Sequence, residues 1–488
     1  YEASMNSFHR ALQIDSTFAL AAIGLFKSAN WVGSELVDVA ASMAIRFRDK
    51  LSGADHMLVA ALGGPDYPLS PTYTHILSAL DSATKLGPDQ PDIWFEYGDI
   101  MFHFGRTIGI TNAFTLAQEA FERAYALDSS LAPAIEHLLE FAVLTRDTPR
   151  VRRLVDKYVS LDSAADHVEY VRWRGAMALG DRATIDALRK KPRIDGDSRA
   201  RILGTGLVDG IGMQDVQAIL SERIRSQGDR ISQFELEQAV SILFMTGREK
   251  QASQMIESNL RLTSDTLRRY ADWLAAMIYT DASTAAEADV VAGLRRQLLN
   301  SASTAERQAE QHGIACILAV HAARGGDLRT VREMKAILYR TVAGAQADRL
   351  IGRQSLCLAF VDGVLEMSAN PAGTAPVLTR LDRLSRMGYD DFFVAGLHIE
   401  LARMYEQGGN RAKALEVLGR RVYHWSDGRV LLTTYLREEG RLAAEVGDKE
   451  RAAKALRHFI ALREGADDRY RPQTERMRAL LAQVENRR

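Results

Sequence analysis

The sequence predicts an all-α fold, a right-handed superhelical solenoid of antiparallel helix pairs with an irregular middle. Three observations lead there. Ala, Leu and Arg, all good helix formers, are prominent in the chain. Only 11 prolines occur, and none lies between Pro192 and Pro371, where an all-β chain would need turn prolines. Similar phrases of apolar spacing also recur along the chain, the signature of a repeat architecture. A chain of 488 residues, 47% hydrophobic and 26% charged, can bury ample apolar surface. As a repeat array it needs no single core, because each unit packs on its neighbours.

The clearest unit begins at Pro88. Trp94, Tyr97, Gly98 and Met101 fall on a first helix, and Ala117, Phe121, Ala124 and Ser129 on a second. A longer turn is expected between them, around Gly105 to Gly109. A small residue at Gly98 or Ala117 lets the two helices approach, and Trp94 and Phe121 are expected to fill the wedge. Leu127-Asp128-Ser129-Ser130 should end the second helix and cap the next. The same close opens the chain, after Phe8 and Ala11, in Leu12 to Ser16, and recurs at Ser160-Leu161-Asp162-Ser163.

Two regular units end the chain. One carries Leu401, Ala402, Tyr405, Gly409, Ala414 and Leu418, the other Gly440, Ala443, Gly447, Ala452 and Leu456. Gly409-Asn410 and Gly447-Asp448 suit tight turns between helices. Met477, Leu480, Leu481 and Val484 lie on one face of a last amphipathic helix, with Glu475, Arg478 and Glu485 on its other side, which reads as a cap. Weaker units are expected at Ala252, Ile256 and Ser264 after Gly247, and at Leu318, Ala319 and Ala322 before Gly325-Gly326-Asp327. Ser368 to Pro376 is the candidate boundary before the C-terminal repeats. The expected division is 1–169 for N-terminal repeats, 170–388 for degenerate hairpins and 389–488 for C-terminal repeats with their cap.

These units resemble the tetratricopeptide repeat superfamily, well over 1–165 and 391–464 and weakly between. The strings Ala11 to Ala22, Leu51-Ser52 leading to Leu58 to Leu62, and Trp94 to Asp99 further resemble helical regions of multidomain bacterial regulators. In those, such regions follow a serine/threonine kinase or winged-helix activator domain. The resemblance implies a sensory or protein-interaction part of a signalling protein. Tyr1 falls inside a helical pattern, so a longer parent protein is expected.

No catalytic signature stands out. Gly204-Thr205-Gly206 lacks the rest of a dinucleotide motif and a preceding strand, and reads as a turn between helices. Walker, nucleophile-elbow and kinase motifs are missing from the sequence. The 11 histidines are scattered without metal-ligand spacing, so His103, His137 and His398 read as core or groove residues. Neither a metal nor a cofactor is expected. Adjacent acids such as Glu438-Glu439 and Asp390-Asp391 should point to different sides of a helix or sit in turns. Cys316 and Cys357 lie in apolar helical contexts and read as buried free thiols.

The net charge of −1 gives no electrostatic case for nucleic acid or membrane. From Leu401 to Arg488, 19 Lys/Arg face 13 Asp/Glu, a tilt that suits a solvated helical surface. Lys190-Lys191-Pro192-Arg193 is too short a basic turn to bind nucleic acid. The sequence shows no signal peptide or membrane-length apolar run. Localisation is not readable, a cytoplasmic place being the default.

The expected function is a protein-interaction or sensing scaffold, not an enzyme. A protein or peptide would lie in a concave groove lined by the first helices. Groove positions are Phe95, Asp99, Phe102 and His103 in the clearest unit, and Arg403, Glu406, Arg437 and Arg441 at the C-terminal end. The arginines could take a carboxylate or acidic peptide. The Lys/Asn set with which family members clamp a C-terminal carboxylate is missing. The alternatives are nucleic-acid contact through the basic C-terminal region, or an enzyme on a helical-repeat scaffold.

Overall fold

A computed structural model describes residues 2–32, 34–51, 53–64, 71–161, 167–189, 205–213, 215–216, 218, 240, 242–258, 291–296, 298, 305–342, 347–370, 375–386, 392–421 and 431–486. Every regular element among them is helical. The chain divides into two compact units, Tyr1–Phe141 and Ala142–Arg488.

The first unit holds α1 (Glu2–Ile14), α2 (Ala19–Val32), α3 (Leu36–Arg46), α4 (Gly53–Gly63), α5 (Tyr73–Leu86), α6 (Pro91–Phe104), α7 (Ala113–Leu127) and α8 (Ala132–Leu144). Packing is mostly between consecutive helices: α1 on α2, α2 on α3, α4 on α5 and α6 on α7. The longer turn expected between α6 and α7 is present, over 105–112.

The expected close of each pair has a plain mechanism. Asp128 Oδ1 accepts from the Ser130 amide at 2.8 Å and the Ser130 hydroxyl at 2.6 Å. Asp15 does the same for Thr17, at 2.8 Å in both bonds. A carboxylate two residues upstream thus ties down the turn that leads into the next helix. The third such close, at Asp162-Ser163, lies outside the described residues.

Gly98 shows why a small residue is needed in α6. A Cβ built there would sit 2.9 Å from the Phe121 ring and 3.2 Å from Ala120. Phe121 and Ala117 are fully buried against it. Trp94 does not join them, contrary to the sequence reading. Ile93 and Phe95 take the core positions of that turn of helix. Trp94 is half-exposed, and its indole N–H donates to the Pro88 carbonyl at 3.1 Å.

The second unit holds α9 (Thr148–Leu161), α10 (Val168–Leu179), α11 (Arg182–Arg189), α12 (Glu249–Ser258), α13 (Ala305–Arg324), α14 (Leu328–Val342), α15 (Ala347–Ala369), α16 (Ala375–Ser385), α17 (Phe392–Gln407), α18 (Arg411–Leu418), α19 (Leu432–Val446), α20 (Lys449–Leu462) and α21 (Arg471–Asn486). The pairs α13–α14, α15–α16, α17–α18 and α19–α20 pack as hairpins. Within 170–388 lengths vary from 8 residues in α11 to 23 in α15, the irregularity expected of the middle. Ala252, Leu318, Ala319 and Ala322 are buried as the weaker units require, whereas Ser264 lies outside the described residues.

One turn recurs here. Gly180, Gly326, Gly409 and Gly447 adopt φ of 67°, 71°, 82° and 88°, a region that a Cβ disfavours. The residue after each caps the next helix. Asp181, Asp327, Asn410 and Asp448 accept from the amide three residues on, at 3.0–3.1 Å. Asp147 caps α9 in the same way, at 3.1 Å. There the left-handed position is held by Arg146, with φ of 58°.

Thr205 to Asp209 is helical and the turn falls at Gly210 and Gly212. The turn thus falls later than the Gly204-Thr205-Gly206 expected from the sequence, and residues 190–204 before it lie outside the described residues. The basic turn at 190–193, most of the candidate boundary (371–374) and Asp390-Asp391 lie outside the described residues. Met477 and Val484 bury one face of α21, as its amphipathic pattern requires. On the other side Arg478 pairs with Glu475 at 2.6 Å.

The cysteines correct a sequence expectation. Cys316 of α13 and Cys357 of α15 are not free thiols but a disulfide, with Cα atoms 5.8 Å apart. Both are buried in the apolar core of this unit. Their apolar helical contexts fit burial, and nothing in them announces a partner 41 residues away. Packing of α13 on α15 brings the two together.

Closing a loop of that length restricts the unfolded chain by about 4 kcal/mol. Cys316→Ala with Cys357→Ala, or full reduction, is therefore expected to lower the urea midpoint of this unit markedly. An unchanged midpoint, or two thiols titrating in the unreduced denatured protein, would show that the bond is not made.

Candidate functional site

In the first unit, α6 supplies four of the expected groove residues with different outcomes. Phe95 is 5% exposed and Phe102 2%, so both are packing residues. Phe102 meets Phe114, Phe121 and Phe141 at ring-centroid distances of 5.3, 6.3 and 5.2 Å. Asp99 and His103, four residues apart on the same helix, stay partly open. The Asp99 Oδ1 oxygen lies 3.5 Å from His103 Nε2 and 3.0 Å from Nε2 of His137, which α8 supplies. Burial pushes the Asp99 carboxyl up, but the charge and hydrogen bonding of His103 and then His137 outweigh it. They hold Asp99 well below the usual carboxylate range.

His137 is 8% exposed. Its ring stacks on Phe121 at 4.5 Å and 4° and meets Phe102 edge-on at 5.1 Å. Beside this cluster, Lys27 of α2 reaches Asp92 at 2.7 Å and Glu96 at 3.7 Å. Burial, partly offset by Lys27, pushes the Glu96 carboxyl up to about 7. First-turn and mid-helix acids of α6 are thus tied to both α2 and α8.

In the second unit, the structure brings Glu406, Arg437 and Arg441 together. Arg441 of α19 holds Glu406 of α17 through two bonds of 2.7 Å. It also holds Glu438 at 2.8 Å and Glu445 at 2.9 Å. Arg437 holds Glu438 at 2.7 Å. Arg403 turns to Glu400 instead, at 3.0 Å, which Arg324 of α13 also holds, at 2.6 Å. The arginines therefore meet carboxylates of their own chain. Glu438 and Glu439 do point to different sides: Glu439 pairs with Arg421 at 2.7 Å and Arg451 at 2.6 Å.

Arg437 and Arg441 also line a cleft of about 480 Å³ between α19 and the start of α21. Arg469, Tyr470, Gln473 and Arg476 complete its polar wall, and Met477 and Pro472 supply apolar surface. Arg476 is exposed and makes no ion pair among the described residues. The Gln473 Oε1 oxygen is buried without a hydrogen-bond partner. Nothing in the α21 sequence marks these residues beyond their basic character. They become a site only because α21 folds back beside α19.

The same unit holds a second network. Arg420, 2% exposed, holds Asp382 at 2.6 Å and Glu416 at 2.7 Å. His398, wholly buried, faces the Ser385 carbonyl at 3.3 Å. Burial first, and then Arg420, bring His398 down to about 4, with Asp382 opposing and Arg386 assisting.

No family model and no curated protein matches the chain. Among solved structures, it is similar to a chain of the Naa15/Naa10 complex bound to HypK-THB. The identity there is 12%, over 95% of this chain and 79% of that one, with a TM-score of 0.23. It is also similar to a chain of the APC/C hetero-tetramer Cut9-Hcn1, with 11% identity over 99% and 86% and a TM-score of 0.27. Likeness of that size carries no argument about partner or activity. The helix-hairpin organisation stands on the chain's own packing.

His398 makes a pH prediction with a definite sign. Its folded value lies below its unfolded value of about 6.5, so between pH 6.5 and 4 the unfolded state binds the extra proton. The contribution is fully present above pH 6.5 and is lost as the pH falls, by about 1.4 kcal/mol per unit at most. Urea midpoints measured from pH 7 to 4 should fall more steeply for the parent chain than for His398→Gln. Parallel slopes would refute the assignment.

Proposed function

We propose that the chain is a protein-binding scaffold and that the cleft between α19 and α21 receives an acidic segment of its partner. The cleft itself supports this reading. It brings four guanidinium groups, Arg437, Arg441, Arg469 and Arg476, around one lining carboxylate, Glu438. Arg437 and Arg441 are oriented in advance by their ion pairs, which lowers the cost of ordering them around a ligand. Arg476 offers an exposed cation. The buried Gln473 Oε1 offers an acceptor to a backbone N–H, and Met477 and Tyr470 give apolar contact to the peptide stem. An extended acidic peptide matches each of these features. The orphan acceptor suits the backbone N–H of a peptide, which a phosphate backbone does not carry.

The resemblance of the Ala11 to Ala22 and Trp94 to Asp99 strings supports a finer reading, in which this scaffold is the interaction part of a bacterial regulator. A kinase or winged-helix domain encoded in the same reading frame would bear on it directly.

Fluorescence anisotropy tests the cleft, with a labelled glutamate-rich peptide and a lysine-rich control. The acidic peptide should bind, and weaken with added salt. Arg476→Glu should cost at least 10-fold in affinity, since hydrogen bonds to charged groups contribute about 1.5–3 kcal/mol. Because Arg476 holds no ion pair among the described residues, the variant should keep its fold. Equal binding of both peptides, or an unchanged affinity in Arg476→Glu, would refute the proposal.

A further inference from the structure

We propose that Asp99, His103 and His137 form a binding site for one divalent transition-metal ion of the zinc, nickel or cobalt class. The three side chains each present one donor atom, and all three donors lie within 4.8 Å of one another. Metal–nitrogen and metal–oxygen bonds near 2.1 Å place adjacent ligands about 3.0–3.4 Å apart, between octahedral and tetrahedral angles. The two separations from Asp99 are 3.0 and 3.5 Å. The two imidazole nitrogens lie within 4.8 Å of each other, and binding would draw them and Asp99 onto one ion.

A second observation points the same way. His137 is held among Phe95, Phe102 and Phe121, at centroid distances of 5.9, 5.1 and 4.5 Å. Packing alone would favour an apolar side chain there. The stack on Phe121 fixes the ring so that Nε2 meets the Asp99 oxygen.

The donor set selects the metal class. Two imidazoles and one carboxylate suit zinc, nickel or cobalt, whereas magnesium and calcium prefer all-oxygen sets. Three protein ligands leave at least one position free. Asp99 and His103 keep side-chain exposures of 28% and 16%, so that position opens to solvent. There a water or a partner's side chain could complete the shell. The ion would tie α6 to α8 through a bond that neither helix makes alone. This inference does not depend on the acidic-peptide cleft, which lies in the other unit.

Isothermal titration calorimetry of the chelator-treated chain with zinc chloride, nickel chloride and magnesium chloride tests it. One equivalent of zinc or nickel should bind with micromolar or tighter affinity, and magnesium should not. Cobalt chloride should give visible absorption bands of nitrogen-ligated Co2+ at the same stoichiometry. His103→Gln and Asp99→Asn, both at partly open positions and checked by circular dichroism, should each weaken binding at least 100-fold. Absence of a saturable one-equivalent site would overturn the proposal. So would binding that persists unchanged in both variants, which would place the metal on other histidines.

Discussion

At Gly180-Asp181, Gly326-Asp327, Gly409-Asn410 and Gly447-Asp448, a left-handed residue ends one helix and a side-chain oxygen caps the next. The chain reverses there within two residues, so the two helices must lie against each other. Close contact then follows from small residues. A Cβ at Gly440 would sit 2.7 Å from Leu456 of the facing helix, as one at Gly98 would meet Phe121. A hairpin built this way buries one face and leaves another apolar face for the next hairpin. The arginine cleft inherits part of its geometry from this constraint, because the Gly447-Asp448 turn sets α20 against α19.

Charge is arranged on the same scaffold. Glu406 and Arg441 stand 35 residues apart, on α17 and α19, and meet in a two-bond pair. Buried or half-buried ion pairs add little net stability, because desolvation offsets most of the attraction. Breaking one leaves its partner stranded, which is costly. The networks around Glu438, Glu439 and Arg420 therefore act mainly to hold one register of α17, α19 and α20 against slippage. They also explain why an arginine-rich C-terminal region presents few cations without carboxylate partners.

The first unit combines polar and aromatic groups differently. Asp99, His103 and His137 meet at the edge of a cluster of phenylalanine rings, in surroundings that strengthen electrostatic contact. Phe95 and Phe102 give up the surface role that their helical positions suggest and form the wall against which His137 is fixed. Asp99 remains ionised because the imidazoles outweigh the effect of its burial.

Much of this protein was legible in the sequence by itself. Helix formers, scarce proline and recurring Asp-Ser and Gly-Asp phrases determined the helix pairs, the capped turns and the amphipathic last helix, since those depend on contacts a few residues apart. Gly98 and Phe121 were also readable, because their spacing is that of a repeat. A weaker signal went unused: His103 and His137 are 34 residues apart, one repeat length. Only the tertiary structure decided that these histidines share Asp99, that Cys316 bonds Cys357, that Trp94 turns outward, and that α21 folds beside α19 to make the arginine cleft. The shared Asp99, the disulfide and the cleft rest on side chains that meet between helices distant along the chain. Their encounter depends on the rotation of each helix about its axis, which local propensity does not fix and packing does.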